Sequence, residues 1–278
     1  MLIPLGAGRR AILCALCLCT FILVGCSRQK LADFFSTKKH APAKEHANAR
    51  RQVSVWHGGC PCLAILLDDL GSDTAAAGEI FALSYPLTIS VLPHHPHSTE
   101  IAEEAHSRGL QVMLHLPMQS LANEKPEAEE IHTGMSTSEI SHELEGMLQN
   151  VPHVVGVNNH QGSQATSDPG LMKELMPLLR ARQLFFLDSR TTAATVAFDA
   201  AQHAGVRSGF RNVPFLDDVQ DTAEIRKQLD LAIRGAKEKG QAIAIGHPHA
   251  TTLQALTNLP ARAEAQGVHL VFVSTLVH

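Results

Sequence analysis

Residues 63–71 read Leu63-Ala64-Ile65-Leu66-Leu67-Asp68-Asp69-Leu70-Gly71, an apolar run that stops at two carboxylates. A short, unbroken apolar run is how a strand buried on both faces reads. The pattern recurs along the chain. Leu87–Leu92 stops at Pro93-His94-His95, Leu110–Leu114 at His115, and Val154–Val157 at Asn158-Asn159-His160. Leu184–Leu187 stops at Asp188-Ser189-Arg190 and Val213–Leu216 at Asp217-Asp218. Ala242–Ile245 stops at Gly246-His247-Pro248-His249, and Val268–Val273 at Ser274-Thr275.

Helical patterns fill the intervals. Ser98–Ser107 alternates acids and Ala; Ser136–Gln149 opens with a capping-box pattern. Pro169–Arg182 sets Leu171, Leu175, Leu178 and Leu179 on one face. Thr192–Ala204, Thr222–Gly240 and Ala250–Gln266 complete the set. Strand then helix, repeated, predicts a parallel sheet. Seven or eight such units in residues 63–278 predict an α/β barrel of seven or eight parallel strands rather than an open sheet.

The active site of such a barrel lies at the C-terminal ends of its strands. That face collects Asp68, Asp69, His115, Asn159, His160, Asp188, Arg190, Asp217, His247 and His249. Singly, a His there is an ordinary loop residue and an Asp an ordinary helix cap. Together, imidazoles and carboxylates suit Zn²⁺ or a similar divalent ion. A second carboxylate beside the ion would take a proton from water, and a His opposite would protonate the leaving group. The outline is metal-assisted hydrolysis. A serine nucleophile lacks its G-x-S-x-G elbow. A glycosidase pairing Asp68 or Asp69 with Asp188 or Asp217 leaves the histidines without a task. No G-x-G-x-x-G or P-loop follows any strand, so no nucleotide is expected.

Composition narrows the partners. The chain has 278 residues, 45% apolar and only 4% aromatic, with a formal charge of −4 and 17 histidines. Few aromatics and an acidic balance argue against nucleic acid. Residues 27–62 hold seven Lys/Arg against two acids; residues 63–278 hold 14 against 25. That shift sets a domain boundary near residue 60. The first 25 residues read as an export signal. Arg9 and Arg10 precede an uncharged stretch, 11–25, too short for a membrane span. It ends in Leu23-Val24-Gly25-Cys26-Ser27, which resembles a bacterial lipobox. The expectation is a signal peptide over 1–25, a lipidated basic tether over 26–62 beginning at Cys26, and a barrel domain over 63–278. The protein would then be exported and held by its lipid on a membrane facing the periplasm, with the outer membrane favoured. Cys60 and Cys62 read as linker cysteines.

Five segments carry a family resemblance: Ala64–Gly71, His115-Leu116-Pro117-Met118, Gly156–Ser163, Phe186–Thr191 and Ala244–His249. In this order they resemble the divergent polysaccharide deacetylases, over about residues 63–276. The resemblance implies a NodB-like distorted (β/α) barrel. It also implies kinship with metal-dependent enzymes that remove N- or O-acetyl groups from polysaccharides such as chitin oligomers or peptidoglycan. It implies Asp68 as general base, Asp69 and His115 as metal ligands, and His247 as general acid. The family's His-x-x-x-His places Gln119 where its second His would stand, which makes His160 the replacement ligand. Arg190 or Arg211 would stand in for the arginine that orients the base. Asn159, Asp188, Asp217 and His249 would support these groups or touch substrate. The alternative is a non-catalytic envelope protein that binds glycan or a protein partner on the same fold.

Overall fold

The computed structural model describes residues 59–122, 127 and 129–278. The expected signal peptide, Cys26 and the tether up to residue 58 lie outside the described residues. Eight parallel strands form one sheet: β1 (Cys62–Leu70), β2 (Thr88–Val91), β3 (Gln111–Met118), β4 (Val154–Gln161), β5 (Phe185–Asp188), β6 (Ser208–Phe210), β7 (Gln241–Gly246) and β8 (His269–Val271). Their order is β6-β5-β4-β3-β2-β1-β7. β8 lies beside Cys62–Ala64 at the start of β1, whereas β2 pairs with Leu66–Leu70 at its end.

The sheet curls into a barrel that no strand closes between β6 and β7. Backbone and side chain of the following loop do so instead. Asn212 N–H donates to the Ile243 carbonyl at 3.0 Å, and Asn212 Oδ1 accepts from Ile243 N–H at 2.6 Å. Leu216 N–H donates to the Ile245 carbonyl at 2.9 Å. The apolar run Val213–Leu216, expected as a strand, is not one. Pro214 has no N–H to give a ladder, so this stretch remains a loop and the strand is β6, Ser208–Phe210, which ends two residues earlier. The chain end fills the base of the barrel: Ser208 and His278 exchange backbone hydrogen bonds at 3.0 and 3.2 Å.

Helices cover the outside: α1 (Thr74–Ala82), α2 (Ser98–Ser107), α3 (Thr137–Asn150), α4 (Pro169–Ala181), α5 (Ala197–His203), α6 (Thr222–Lys239), α7 (Ala250–Leu256) and α8 (Leu259–Glu264). Ser136 and Glu139 form the expected capping box of α3. Gly240 ends α6 in the left-handed region at φ 84°, where a side chain would be strained. α5 begins later than its Ala-rich pattern, because Thr195 Oγ1 bonds Asp188 Oδ2 at 2.8 Å and holds the preceding residues in a turn. The expected helix 250–266 is two helices. Pro260 lies in the first turn of α8, where it cannot continue α7. α1 has no counterpart in the sequence reading; Asp73 caps it by accepting from Ala75 and Ala76 N–H.

Two cores result. One lies between strands and helices. The other is the barrel interior: Cys62, Ala64, Leu66, Met113, Phe185, Leu187, Ile243 and Ile245, closed below by Val271, Val273, Leu276 and Val277. Cys62 is therefore the first inward residue of β1 and fully buried, not a linker residue.

Candidate metal and acid–base site

Side chains alternate across a strand. Continuing the inward rows upward, Leu66 leads to Asp68, Met113 to His115, Gly156 to Asn158 and His160, Leu187 to Ser189, and Ile245 to His247. The same parity that buries the apolar core thus delivers a polar layer above it. Asp69 is the exception, since neighbours on a strand point apart. Its φ of 58° turns the backbone left-handed, and the pairing of β1 with β2 shifts between Leu67 and Leu70. That turn brings two consecutive carboxylates to one place. Asp is among the residues that tolerate this conformation best.

Three atoms form a nearly equilateral triangle. Asp69 Oδ1 lies 3.1 Å from His115 Nε2 and 3.0 Å from His160 Nδ1, and the two nitrogens are 3.1 Å apart. Asp69 Oδ1 is buried and receives no hydrogen bond of acceptable angle despite these distances. The tautomer of His115 explains why. Its Nδ1 lies 3.2 Å from Asn158 Oδ1, an acceptor, so Nδ1 carries the proton and the neutral ring turns a lone pair toward Asp69. Facing lone pairs are unfavourable unless a cation sits between them or the ring is protonated. Ligand atoms about 2.0–2.2 Å from a tetrahedral zinc lie about 3.3–3.5 Å apart. The triangle meets that within a few tenths of an ångström. One carboxylate with two imidazoles is a donor set for zinc or a similar first-row ion. The residues present therefore fit a divalent metal.

Asn158 holds this arrangement, not its neighbour Asn159, which is the residue expected from the sequence. Asn158 Nδ2 donates to Asp68 Oδ1 and Oδ2 at 3.0 and 3.1 Å, and to Ser189 Oγ at 3.0 Å. Its Oδ1 accepts from the Ser90 hydroxyl as well as from His115. Every hydrogen-bonding capacity of the amide is used. The signal was in the sequence: Asn158 is two residues before His160, on the same face of β4.

Asp68 is 1% exposed. Burial raises its pKa, and the nearby His115 offsets this only in part. Burial also opposes charge on Asp69, but the imidazoles of His115 and His160 outweigh it and hold that carboxyl well below the usual range. His115 is shifted up: Asp68 and Asp69 overcome the effect of its burial. Two adjacent carboxylates are thus driven in opposite directions by their surroundings, which suits Asp69 to an ionised ligand and Asp68 to exchange of a proton.

Across the site, His247 Nε2 lies 3.8 Å from Asp69 Oδ2. Its Nδ1 donates to Asp217 Oδ1 at 2.9 Å, and its backbone N–H donates to Oδ2 at 2.6 Å. Thr252 Oγ1 also donates to Oδ2, at 2.8 Å. Burial opposes the imidazolium, but Asp217 prevails and pushes the pKa up to about 9. Asp217, His247 and His249 are a second group close enough for a metal, yet both Asp217 oxygens already accept from donors. His249 lies at the rim, its Nε2 3.1 Å from Gln220 Nε2.

The other expected residues serve the walls. Asn159 Oδ1 accepts from Ser189 N–H at 2.9 Å, and its Nδ2 donates to the Gln161 carbonyl at 2.8 Å. Asp188 accepts from Arg190 N–H at 2.8 Å and from Thr195. Both fix the turn after β5 and point away from the triangle. Arg211 donates to the carbonyls of Ser189, Arg190 and Val213, and it makes no hydrogen bond to Asp68. Arg190 stacks its guanidinium 3.5 Å above the Phe210 ring.

Comparison with known proteins gives the family and the fold. Residues 65–277 match the family model for divergent polysaccharide deacetylase. A protein of Escherichia coli K12, the uncharacterized protein YibQ, is 41% identical over 197 residues, 71% of this chain and 61% of its own length. The chain therefore spans about three-fifths of that relative. An uncharacterized protein of Haemophilus influenzae is 40% identical over 210 residues, 74% of this chain and 75% of its own. Among solved structures, an uncharacterized protein from Agrobacterium tumefaciens C58 aligns with TM-score 0.76 at 22% identity, covering 81% of this chain and 93% of that one. The catalytic domain of a peptidoglycan N-acetylglucosamine deacetylase from Eubacterium rectale aligns at 0.51, with 17% identity over 79% and 91%. A CE4 family pseudoenzyme from Bacillus anthracis aligns at 0.53, with 11% identity over 79% and 66%. At such identities these three share the fold, the curled parallel barrel of the CE4 deacetylases, and that fold hosts an enzyme and a pseudoenzyme alike. By its sequence, the chain belongs to the divergent polysaccharide deacetylase family.

Proposed function

We propose that this protein is a metal-dependent hydrolase that removes acyl groups, acetyl above all, from a carbohydrate of the cell envelope, held at the membrane by a lipid on Cys26 and facing the periplasm. The observation that carries the reading is the buried Asp69 Oδ1, set between two imidazole nitrogens without a hydrogen bond. Asp69, His115 and His160 hold the divalent ion, with zinc as the first choice. When bound, the ion supplies a Lewis acid that polarises the acyl carbonyl and lowers the pKa of water.

The chain's own residues do the proton work. Asp68 takes a proton from water as the water oxygen bonds to the acyl carbon. Its raised pKa brings it nearer the working pH, where a general base is most effective. Asn158 keeps both Asp68 oxygens oriented. His247 gives a proton to the departing sugar nitrogen or oxygen as that bond breaks. Asp217 fixes the ring and keeps it protonated until then. The products are the free amine or hydroxyl and the carboxylic acid.

Asn158→Ala removes the partner of Asp68, Ser90 and His115 at once. Zinc affinity should fall about 10–100-fold, as for other residues that orient a ligand imidazole. Competition with a chromophoric chelator measures it; unchanged affinity would mean that Asn158 does not set the His115 tautomer. Release of acetate from N- and O-acetylated glycans by the zinc-loaded protein tests the function itself. Release that disappears in Asp68→Asn supports it. No release from any acetylated glycan by a protein with its metal bound would replace it with the non-catalytic, glycan-binding reading.

A further inference from the structure

Ser189 continues the inward row of β5 and takes no part in the proton work of Asp68 and His247. It is 1% exposed, as is Asp68. Leu187, two residues earlier on the same face, belongs to the apolar barrel interior. The Ser189 hydroxyl oxygen accepts from Asn158 Nδ2 at 3.0 Å. Among the described residues, its own proton is donated to none. A buried hydroxyl that only accepts is half satisfied.

The polarity of the surrounding hydrogen bonds fixes this role. The Ser90 hydroxyl and His115 Nδ1 both donate to Asn158 Oδ1, so the amide turns Nδ2 to its other side. A reversed amide would set N–H groups against two donors and an oxygen against the Asp68 carboxylate. Ser189 therefore accepts, and it ends a chain of donors that runs from Ser90 through Asn158. Its backbone is fixed as well. Ser189 N–H donates to Asn159 Oδ1 at 2.9 Å, and its carbonyl accepts from Arg211 Nε at 2.8 Å. The Asp188 carbonyl accepts from Arg211 N–H at 3.0 Å, and Asp188 Oδ1 accepts from Arg190 N–H at 2.8 Å. Asn159, Asp188 and Arg211, all marked by the sequence, thus fix the place of one hydroxyl.

Asp68 accepts from the same Asn158 nitrogen, at 3.0 and 3.1 Å. At these distances, acceptors of the two hydrogens of one NH₂ group lie roughly 5 Å apart. A water bonded to two oxygens at about 2.8 Å spans about 4.5 Å between them. The two ends differ in kind: Ser189 has a proton to give, and the Asp68 carboxylate only accepts. Water matches both, accepting from one and donating to the other. An acyl oxygen can accept from Ser189 but has no proton for Asp68.

We propose that Ser189 is a further catalytic residue: its hydroxyl donates to the attacking water while Asp68 accepts from it, so the water is oriented before it reacts. The water's proton passes to Asp68 as its oxygen bonds to the acyl carbon; Ser189 keeps its own proton throughout. Negative charge building on that oxygen strengthens the bond from Ser189. The catalytic role rests on the hydrolase reading; the water site itself rests on Ser189, Asn158 and Asp68.

The test compares the zinc-loaded wild type with Ser189→Ala. A crystal structure of the wild type should show an ordered water about 2.6–3.2 Å from both Ser189 Oγ and an Asp68 oxygen. Ser189→Ala should keep its zinc affinity and its KM, and should release acetate from acetylated glycan about 10²-fold more slowly, as expected when a reacting group is misplaced. Zinc affinity that falls as far as in Asn158→Ala would make Ser189 a support of Asn158 alone and overturn the proposal. Undiminished turnover in Ser189→Ala, or a wild-type site in which no water touches both residues, would overturn it too. A shared water without acetate release from the wild type would keep the water site, end its catalytic role and remove the hydrolase reading. Release by the wild type without the shared water would leave that reading and remove Ser189 from it.

Discussion

Asp68→Asn is expected to fold, to keep its metal, and to hydrolyse acetylated glycan about 10²–10⁴-fold more slowly than the wild type, the range for loss of a positioned general base. The amide is isosteric, and its oxygen can still accept from Asn158 Nδ2. Stability should hold or rise. Burial makes the Asp68 carboxylate costly, and the neutral amide avoids that cost and the repulsion from Asp69. Thermal unfolding, metal content and acetate release measured together separate the roles. A variant that loses metal would make Asp68 a ligand; one with undiminished turnover would remove it from the chemistry.

The second large effect concerns His247. Asp217→Asn should lower turnover about 10²–10⁴-fold and move the alkaline limb of the pH profile to lower pH. The folded-state pKa of His247, about 9, is above the ordinary 6.5. The raised pKa means that the His247–Asp217 pair contributes its full stabilisation below about pH 6.5 and loses it as pH rises through about 9. The shift corresponds to roughly 3 kcal/mol at most in the metal-free protein. Turnover is lost on the same side, because the acid must hold its proton. On the acid side, turnover falls when Asp68 is protonated. Imidazole resonances followed by NMR in metal-free protein report the pKa directly. A value near 6.5 in the wild type, or no change in Asp217→Asn, would contradict the assignment of Asp217 as the residue that holds the proton.

Why some of this was legible in the sequence follows from particular residues. Apolar runs such as Leu63–Leu67 and Ala242–Ile245 reveal strands because burial on both faces allows nothing else. Their polar ends then mark the functional face. What failed was finer. Asp68 and Asp69 are adjacent, so simple alternation would have separated them; only the left-handed turn at Asp69 brings them together, and nothing local announces it. Asn158 and Asn159 are chemically identical in sequence, and strand parity alone separates the inward residue from the one that pins the β5 turn. Asp188 and Asp217 both follow strand-like runs, yet one caps a turn and the other holds His247. The strand expected at Val213–Leu216 had the right residues for burial, but Pro214 denied it a ladder. Cys62 read as linker because charge changes near residue 60, whereas β1 begins at that residue.

Asp69, His115 and His160 are proposed to share one divalent ion. Elemental analysis of the purified protein after dialysis against zinc, beside Asp69→Ala, His115→Ala and His160→Ala, tests it most directly. One equivalent of zinc is expected in the wild type, and its loss in each folded variant. A wild type without zinc, or folded variants that each retain a full equivalent, would contradict it.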